Sequence, residues 1–509
     1  MRIVQRGVFA VALAVLSTSA SAALQQPANG LTQTADVHAE QRAIEEAIAQ
    51  IRNGNNDAAD TTLRGVIEAP AFRELAEKSR HDVLYLAGAL TLDRQDYERA
   101  HDYFRQSSTM SESIGNDWLY RFEAAYALKD MSDAAQSLTT LAGAWPDTVA
   151  RLQDRAILRV SNEAGKLPED KLDIELLDAL FKMRWTEAGG VEPSDLWRRL
   201  VLLRLQHNDI AGARAAAERI TRPYALLDMR ADNQYQPVIK TIPARFDVGK
   251  AAVDQVVQFR RLVDANPRSL QWLTQLTYAL LSIGHFEEVL KLTDEAIARA
   301  KPLDGQGPAY DDIGSYLIWV MDNRALALEG LKRWDDAVAQ MLRAVRRPEN
   351  GDLNVSQAIN LGFLYFELDR PDEALATISE VGDMSPYGRM QMEMVRLVAA
   401  LEKQDSSAVD KSLQYMRDHR LDAANTFLEA LLYANRMDEA SQFLQSRLSD
   451  RLLRSEALQQ IQQYAEAPAP PRETEMHNRL RILCARPEVV TAVAKVGRIE
   501  HYEIYPEGG

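Results

Sequence analysis

The chain has 509 residues, with 59 basic and 74 acidic side chains and a formal net charge of -15. A chain this acidic lacks the basic surface that phosphate binding requires, so we expect no nucleic acid partner. Its single cysteine, Cys484, excludes an internal disulfide and lipid attachment at a processed N-terminus. The fold must therefore be held by packing alone.

The first residues have the pattern of a secretory signal peptide. A short basic lead at residues 1–6 precedes an apolar run from Gly7 to Leu16 and a small, polar segment from Ser17 to Ala22. The apolar run is about half as long as a permanent membrane helix, and no other stretch predicts a membrane span. We therefore predict a signal peptide, residues 1–22, cleaved after Ala22, and export to the bacterial periplasm. An uncleaved anchor is the alternative.

Residues 23–36 read as a linker, and helix after helix follows it. Between residues 37 and 464, apolar residues recur at i, i+3, i+4 and i+7, with short polar turns between the helices. Strand-like alternation is almost absent there. The clearest unit runs from Ser356 to Pro386, and its marker residues are Leu361, Gly362, Tyr365 and Ala374.

This unit resembles the tetratricopeptide repeat (TPR), whose pattern over about 34 residues places small and large apolar residues at fixed offsets. Small residues such as Gly362 and Ala374 are needed because they let two antiparallel helices approach closely. Further copies are marked by Gly88, Ala100, Phe104, Ala135, Ala213, Val289, Ala325, Ala337, Ala408 and Ala440. The resemblance implies an all-α fold, a right-handed superhelical solenoid of antiparallel helix hairpins, in which chain length reflects repeat number.

Two segments break the repeat. Three prolines between Thr221 and Lys250 predict an irregular connection, residues 223–249, because a proline inside a helix costs about 3 kcal/mol. This connection divides an N-terminal TPR block, residues 37–222, from a C-terminal block, residues 250–464. The second break, residues 301–314, reads as a long loop, either a plain insertion or a functional segment.

Beyond the repeats the pattern changes. The proline-rich residues 465–472 predict a stiff linker. In residues 473–509, strand-like alternation is followed by a helical stripe of valines and a segment rich in β-formers: Leu480, Ile482 and Cys484, then residues 487–497, then residues 498–505. This tail is either a small strand-helix-strand element or a C-terminal cap folded onto the last repeat.

The sequence carries no catalytic signature. It lacks a Gly-x-Ser-x-Gly elbow, a phosphate loop and a His-Glu-x-x-His motif, and Gly305-Gln306-Gly307 lacks the third glycine of a dinucleotide fingerprint. Its eight histidines are scattered, without the helical pairs that bind a metal ion. We predict no enzyme activity, no cofactor and no metal site, with convergence of groups from distant repeats as the alternative.

Acidic pairs recur instead where second helices are predicted to begin. Negative charge there is favoured by the helix dipole, by about 0.3–1 kcal/mol. We therefore assign these pairs to the repeat and not to a site: Glu287-Glu288, Asp335-Asp336, Asp372-Glu373 and Asp438-Glu439.

In tetratricopeptide proteins the first helices of successive hairpins line a concave groove. By that resemblance, the ligand-binding positions are Tyr85, Tyr120, Arg121, Arg198, Arg199, Gln275, Tyr278, Asp322, Asn323, Asn360 and Phe363. Asn323 and Asn360 are equivalent in consecutive repeats, and such a ladder of amides can hold a peptide backbone. Alternatively, the tyrosines pack between hairpins, and Arg198 and Arg199 are solvated, with their stems covering apolar surface.

These observations predict a protein-binding or peptide-binding scaffold or adaptor, for example in envelope or secretion-system assembly. The alternative is an accessory protein in polysaccharide export or carbohydrate handling. An inward face rich in exposed aromatic and acidic residues would favour a polysaccharide, whereas polar ladders with apolar pockets would favour a peptide.

Overall fold

The computed structural model describes residues 35–300, 308–348, 354–466, 468 and 470–506. The predicted signal peptide and most of the predicted 301–314 loop lie outside these residues. Two compact units divide between His207 and Asn208. The described residues are predominantly α-helical, as predicted, and they contain only isolated β-bridges in place of a sheet.

Unit 1 is built of helix hairpins. Helix α1 packs on α2, α3 on α4 and α5 on α6, and the second helix of one hairpin packs on the first helix of the next. Short 3₁₀ helices cover Pro70–Glu74 and Ala188–Gly190. The α-helices are α1 Ala35–Arg52, α2 Asn56–Glu68, α3 Glu77–Asp93, α4 Tyr97–Ser107, α5 Gly115–Leu128, α6 Met131–Ala144, α7 Pro146–Val149, α8 Asp154–Ala164, α9 Lys171–Lys182 and α10 Ser194–Gln206.

Unit 2 continues the same architecture. Its α-helices are α11 Ile210–Ala217, α12 Pro223–Ala231, α13 Gln236–Ile239, α14 Val248–Ala265, α15 Leu270–Ser282, α16 Phe286–Arg299, α17 Ile313–Gly330, α18 Trp334–Val345, α19 Val355–Glu367, α20 Pro371–Thr377, α21 Pro386–Glu402, α22 Ser406–Asp418, α23 Ala424–Tyr433, α24 Met437–Ser449, α25 Arg454–Gln460, α26 Pro471–Cys484 and α27 Pro487–Val496. Short 3₁₀ helices cover Asn233–Tyr235 and Pro243–Phe246. Successive first helices contact one another, α15 on α17, α19 on α21 and α21 on α23.

Small residues set the close approach of helices, as the repeat pattern predicts. A Cβ atom added to Gly88 would lie 2.8 Å from the Phe104 ring across the α3–α4 hairpin. One added to Gly362 would lie 3.1 Å from side-chain atoms of both Thr377 and Val395. Ala374 is fully buried beside them. The hairpins are therefore packed to a density that leaves no room for larger side chains at these positions.

The turns inside the hairpins share one backbone conformation. At the α3–α4 turn, Gln95 has φ of 63°. Its N–H donates to the Leu92 carbonyl at 3.0 Å, and the N–H of Asp96 donates to the Thr91 carbonyl at 2.9 Å. This is the Schellman pattern, which satisfies the free carbonyls at a helix end. The left-handed residues of these turns are Gly54, Gln95, Lys129, Gly284, Lys332, Asp369, Gln404 and Asn435.

Lys129→Gly should stabilise the α5–α6 hairpin by about 0.5–1 kcal/mol. Lys129 has φ of 64°, a conformation that costs a residue with a Cβ atom about 1–2 kcal/mol, and the greater freedom of glycine in the unfolded chain offsets part of the gain. Urea unfolding followed by hydrogen exchange of α5 and α6 would measure it. Lys129→Ala should bring no gain, and a lower midpoint for Lys129→Gly would contradict the turn assignment.

The segment predicted as an irregular connection contains a regular helix. Helix α12 begins at Pro223, the first helical position, where the missing N–H of proline costs nothing. The prediction of an irregular segment is therefore wrong for residues 223–231. Beyond α12, the segment is irregular apart from single-turn helices.

The tail is the cap and not the strand-helix-strand element. Residues 480–484 are the last part of α26, so the strand prediction there is wrong, and α26 and α27 pack on α24. Ile482, the middle residue of the alternating pattern, is 60% exposed, whereas its neighbour Leu483, which is not part of the pattern, is buried. The free cysteine, Cys484, is half-buried, and burial raises the pKa of its thiol to about 12.

Residues 497–505, the C-terminal segment, are extended and lie against α12 and α15. The N–H of Arg498 donates to the Ala231 carbonyl at 2.9 Å, and the N–H of Tyr505 donates to the Ser282 carbonyl at 2.9 Å. The Tyr224 hydroxyl donates to the Tyr505 carbonyl at 2.7 Å. The chain end of unit 2 is thus fixed to the beginning of the same unit.

Candidate functional site

The predicted groove residues of the second and third hairpins of unit 1 are buried. Tyr85 is 4% exposed and Tyr120 is fully buried, with their ring centroids 6.1 Å apart. The Phe104 ring lies 5.4 Å from that of Tyr120. Arg121 is 5% exposed, and its Nε donates to Asp133 at 2.9 Å. For the two tyrosines these contacts are those of packing between hairpins, the alternative interpretation, and Arg121 is paired inside the unit. A ligand contact by any of the three residues stays a prediction.

Arg198 and Arg199 are half-buried in unit 1. The Arg199 guanidinium donates to the Ser161 carbonyl at 2.6 Å and pairs with Asp173 at 3.1 Å. Burial lowers the pKa of Arg199, and the charge of Asp173 opposes that shift. Gly165 makes room for the guanidinium, because a Cβ atom there would lie 3.0 Å from Arg199 Cζ. Arg199 therefore ties α10 to α8 and α9.

A serine, a histidine and a carboxylate do meet in unit 1. His81 Nε2 lies 2.9 Å from Asp117, and the Ser107 hydroxyl donates to the same carboxylate at 2.6 Å. The carboxylate thus stands between the other two groups, so the histidine has no contact with the serine that it would need to activate. Asp117 and Ser107 are fully buried, and His81 is 5% exposed. The arrangement links α3, α4 and α5 and is not a nucleophilic centre.

His81 should titrate near pH 9, far above free histidine. Burial lowers the pKa of His81, but hydrogen bonds to Asp117 and Asp82 raise it more, to about 9. A folded pKa above the unfolded value means that the interaction stabilises unit 1 fully below about pH 6.5 and is lost as the pH rises through 9. NMR of ¹³Cε1-labelled histidine would measure the titration, with His81→Gln to assign the signal. A pKa of 6–7 for that signal would contradict the network.

In unit 2 the predicted asparagine ladder connects first helices to one another. Asn323 is 4% exposed, and its amide donates to the Thr274 carbonyl at 3.1 Å and to the Thr277 hydroxyl at 2.8 Å. Asn360 donates to Asp322 at 3.2 Å. Burial raises the pKa of the Asp322 carboxyl. The ladder therefore bridges α15, α17 and α19.

Two of the predicted positions are open to solvent. Gln275 on α15 and Asn360 on α19 are exposed, and Tyr278 and Phe363 beside them are half-buried. We call these four residues the first-helix face of unit 2. Their mixture of amides and partly covered rings offers hydrogen bonds next to apolar surface.

A second surface of unit 2 was not predicted from the sequence. We call it the acidic surface, and it consists of Glu329 on α17, Glu367 and Asp369 at the end of α19, Glu402 on α21 and Glu429 on α23. Glu367 and Glu402 are each the last residue of a first helix. The shared position of Glu367 and Glu402 is the only indication of this surface in the sequence. The acidic pairs at the starts of second helices recur more regularly and are therefore easier to recognise.

The carboxyl groups of the acidic surface influence one another. Burial raises the pKa of Glu329 to about 8 and that of Glu429 to about 7, and nearby negative charge adds to both shifts. The pKa of Glu367 is raised for the same reasons. Glu473, which belongs to α26 and faces this surface, has a pKa of about 6 because of burial. Negative charge is thus costly here, and cations should be favoured.

Helix α26 lies on the acidic surface. Arg472 pairs with Asp369 at 2.9 Å and also with Glu402. Arg479 donates to the carbonyls of Leu432 and Tyr433, both at 2.7 Å, at the C-terminal end of α23, where helix carbonyls lack partners within the helix. Beside this contact, a cavity of about 360 Å³ is lined by Lys332, Trp334, Glu367, Leu368, Asp369, Pro468 and Pro470.

Within the part of the chain that the structure describes, no group of three or more histidine, cysteine or acidic side chains is arranged to hold a metal ion. Over the same residues, no helix combines the length and apolar character needed to cross a bilayer. The acidic pairs stand in the first turns of α16, α18, α20 and α24, which confirms that they lie where second helices begin.

The fold and these surfaces define an α-helical hairpin-repeat protein. No protein-family model and no curated protein matches the chain. Among solved structures, yeast Tom70 is 11% identical with a TM-score of 0.29, covering 90% of this chain and 99% of that one. The APC/C hetero-tetramer Cut9-Hcn1 is 11% identical with a TM-score of 0.29, covering 90% of this chain and 89% of that one. The P58(IPK) TPR domain is 13% identical with a TM-score of 0.21, covering 82% of this chain and 100% of that one. At such scores these likenesses do not bear on function.

Proposed function

We propose that the protein is a binding scaffold that holds a protein or peptide partner on the first-helix face of unit 2. The observation that supports this most is the exposure of Gln275 on α15 and of Asn360 on α19, the first helices on either side of the α17–α18 hairpin, with the half-buried rings of Tyr278 and Phe363 one turn along the same helices. Amides that both donate and accept suit a peptide backbone, and the rings offer area for apolar side chains.

A peptide fits this face better than a polysaccharide. A polysaccharide site would present exposed aromatic rings, whereas Tyr85 and Tyr120 are buried and Tyr278 and Phe363 are half-buried. The exposed positions carry amides instead. We propose that the protein assists the assembly of the cell envelope or of a secretion system.

Crosslinked pull-down from the native cells tests the scaffold role. Gln275→Ala combined with Asn360→Ala should reduce recovery of the specific partner at least tenfold, while the free energy of unfolding of unit 2, measured in urea, stays within about 1 kcal/mol of wild type. Leu342→Ala on α18, a second helix, is the matched control because Leu342 is 38% exposed. Unchanged recovery from the double variant would overturn the assignment of the face.

We further propose that the protein works in the periplasm after removal of residues 1–22. The support is the basic, apolar and small-residue order of the leader. Cell fractionation followed by N-terminal sequencing should find Ala23 as the first residue of the periplasmic protein. A cytoplasmic protein that retains Met1 would contradict the proposal.

A further inference from the structure

Asp322 on α17 is a nearly buried carboxylate without a cation beside it. It is 9% exposed. Among the residues that the structure describes, its carboxylate accepts one regular hydrogen bond, from the Asn360 amide at 3.2 Å, and pairs with no lysine or arginine. Glu393 on α21 is buried to a similar degree, but it pairs with Arg396 at 2.6 Å. A buried carboxylate is costly unless a cation or several hydrogen bonds compensate it, so Asp322 has less compensation than its burial requires.

Gln357 on α19 brings an unpaired amide to the same place. It is fully buried, yet neither its amide oxygen nor its amide nitrogen has a regular hydrogen-bond partner. Burial raises the pKa of Asp322, and the Asn360 and Gln357 amides, which face its carboxylate, lower it. Nearly all buried polar side chains in native proteins have at least one partner. An unpaired amide beside a carboxylate without a cation therefore points to a ligand that is itself a cation and a hydrogen-bond donor.

This pair of groups lies next to the first-helix face of unit 2. Asn360, which donates to Asp322, is exposed, and it stands three residues after Gln357 on the same side of α19. The half-buried ring of Phe363 follows one turn later. Because the residue that touches the carboxylate is itself exposed, the carboxylate lies directly beneath the part of the face that meets solvent.

The charge around Asp322 is negative. Glu329 stands seven residues later on α17, which is two turns along the same side of the helix. Arg324, two residues after Asp322, pairs with Asp294 of α16 at 2.7 Å and so belongs to another side of α17. This side of the helix therefore attracts a cation and repels an anion.

We infer that the first-helix face of unit 2 selects a peptide that carries a lysine or arginine side chain, and that Asp322 and Gln357 receive this side chain. Its ammonium or guanidinium group donates to the Asp322 carboxylate and to the Gln357 amide oxygen, while Gln275 and Asn360 hold the peptide backbone. The inference rests on the proposed scaffold role and adds the chemistry of the partner, with Asp322 as the residue that determines specificity.

The test selects peptides on the full chain from a random phage-display library. Peptides that bind wild type, but not the chain with Gln275→Ala and Asn360→Ala, should share a lysine or arginine at one fixed position. One such peptide is then synthesised with a fluorescein label, and its binding is measured by fluorescence anisotropy. Replacing its basic residue by glutamine should weaken binding at least about tenfold.

Asp322→Asn separates a specificity role from a structural one. The variant chain should bind the basic peptide and its glutamine version equally. Its urea midpoint should stay the same or rise, because a buried charge without a cation is removed, whereas a structural role predicts a lower midpoint. Glu393→Gln is the matched control: this chain should keep the preference for the basic peptide, with a lower midpoint because Arg396 loses its partner.

Three results would overturn the inference: no peptide selected on this face, selected peptides without a shared basic position, or a preference for the basic peptide that survives Asp322→Asn. Peptides that bind the face without a basic position would leave the scaffold proposal standing. That proposal fails separately, through unchanged pull-down recovery from the Gln275 and Asn360 variant.

Discussion

Asp117→Ala is expected to destabilise unit 1 by about 3–5 kcal/mol, the range for removing one partner of a buried ion pair. Asp117 is fully buried, and its carboxylate accepts hydrogen bonds from Ser107 at 2.6 Å and from the Ile114 N–H at 2.9 Å, besides its contact with His81 at 2.9 Å. The change would leave a protonated histidine and a hydroxyl buried without their acceptor. Urea unfolding, followed by circular dichroism and by hydrogen exchange of α3 to α5, would measure the loss.

Asp82→Ala is the matched control for this prediction. Asp82 lies next to His81 in sequence, but its side chain is 21% exposed and its contact with His81 is long, at 3.4 Å. Solvent screens such a contact, so we expect a loss below about 1 kcal/mol. Equal losses for Asp82→Ala and Asp117→Ala would show that the buried network does not hold the three helices together.

Gly497→Ala should destabilise unit 2 by about 3 kcal/mol, the upper end of the usual range for overpacking. A Cβ atom at this position would lie 2.2 Å from the carbonyl oxygen of Ala231, and 3.0 Å from the side chain of Leu458. A backbone oxygen cannot rotate away, so the C-terminal segment must move and lose the Arg498 hydrogen bond to Ala231. In this variant, the hydrogen exchange of residues 498–505 should be faster than in wild type, and the urea midpoint of unit 2 should be lower.

Gly314→Ala provides the comparison in the same unit. No atom lies within 4 Å of a Cβ added at Gly314, which stands in the first turn of α17. Alanine is the better helix former, so this change should be neutral or stabilise by up to about 1 kcal/mol. A neutral result for Gly497→Ala would mean that the C-terminal segment is not fixed against α12.

The hairpins could be predicted from the sequence because their determinants are local. Gly88 and Phe104 lie in adjacent helices joined by a short turn, and the fit of one to the other follows from their repeat positions. The acidic pairs were predictable for the same reason, since a helix start favours them without help from distant residues. Here local propensity and packing agree.

The candidate sites required information that the sequence does not carry locally. Asn323 is equivalent to Asn360 in the repeat, yet Asn323 is buried against α15 while Asn360 is exposed. That difference depends on how each helix meets its neighbour. The strand prediction at residues 480–484 was wrong because the alternating apolar residues there belong to the end of a helix. Ile482 is exposed on that helix and does not share a buried face with its neighbours in the pattern.

The acidic surface could not be foreseen for a related reason. Glu329, Glu367, Glu402 and Glu429 belong to four different hairpins, and only the packed repeats bring their carboxyl groups to one side. Helix α26, which covers them, follows the repeats along the chain and returns to hairpins far earlier in the sequence, as the Arg472 pair with Asp369 shows.

Site-specific photo-crosslinking tests the scaffold account most directly. A benzophenone amino acid would replace Gln275, Asn360 or, as the control, Leu342 in the full chain expressed in its native cells. We expect discrete adducts with one partner protein from Gln275 and from Asn360, and none from Leu342. The same adducts from Leu342, or no adduct from either first-helix position, would contradict the assignment of that face as the binding surface.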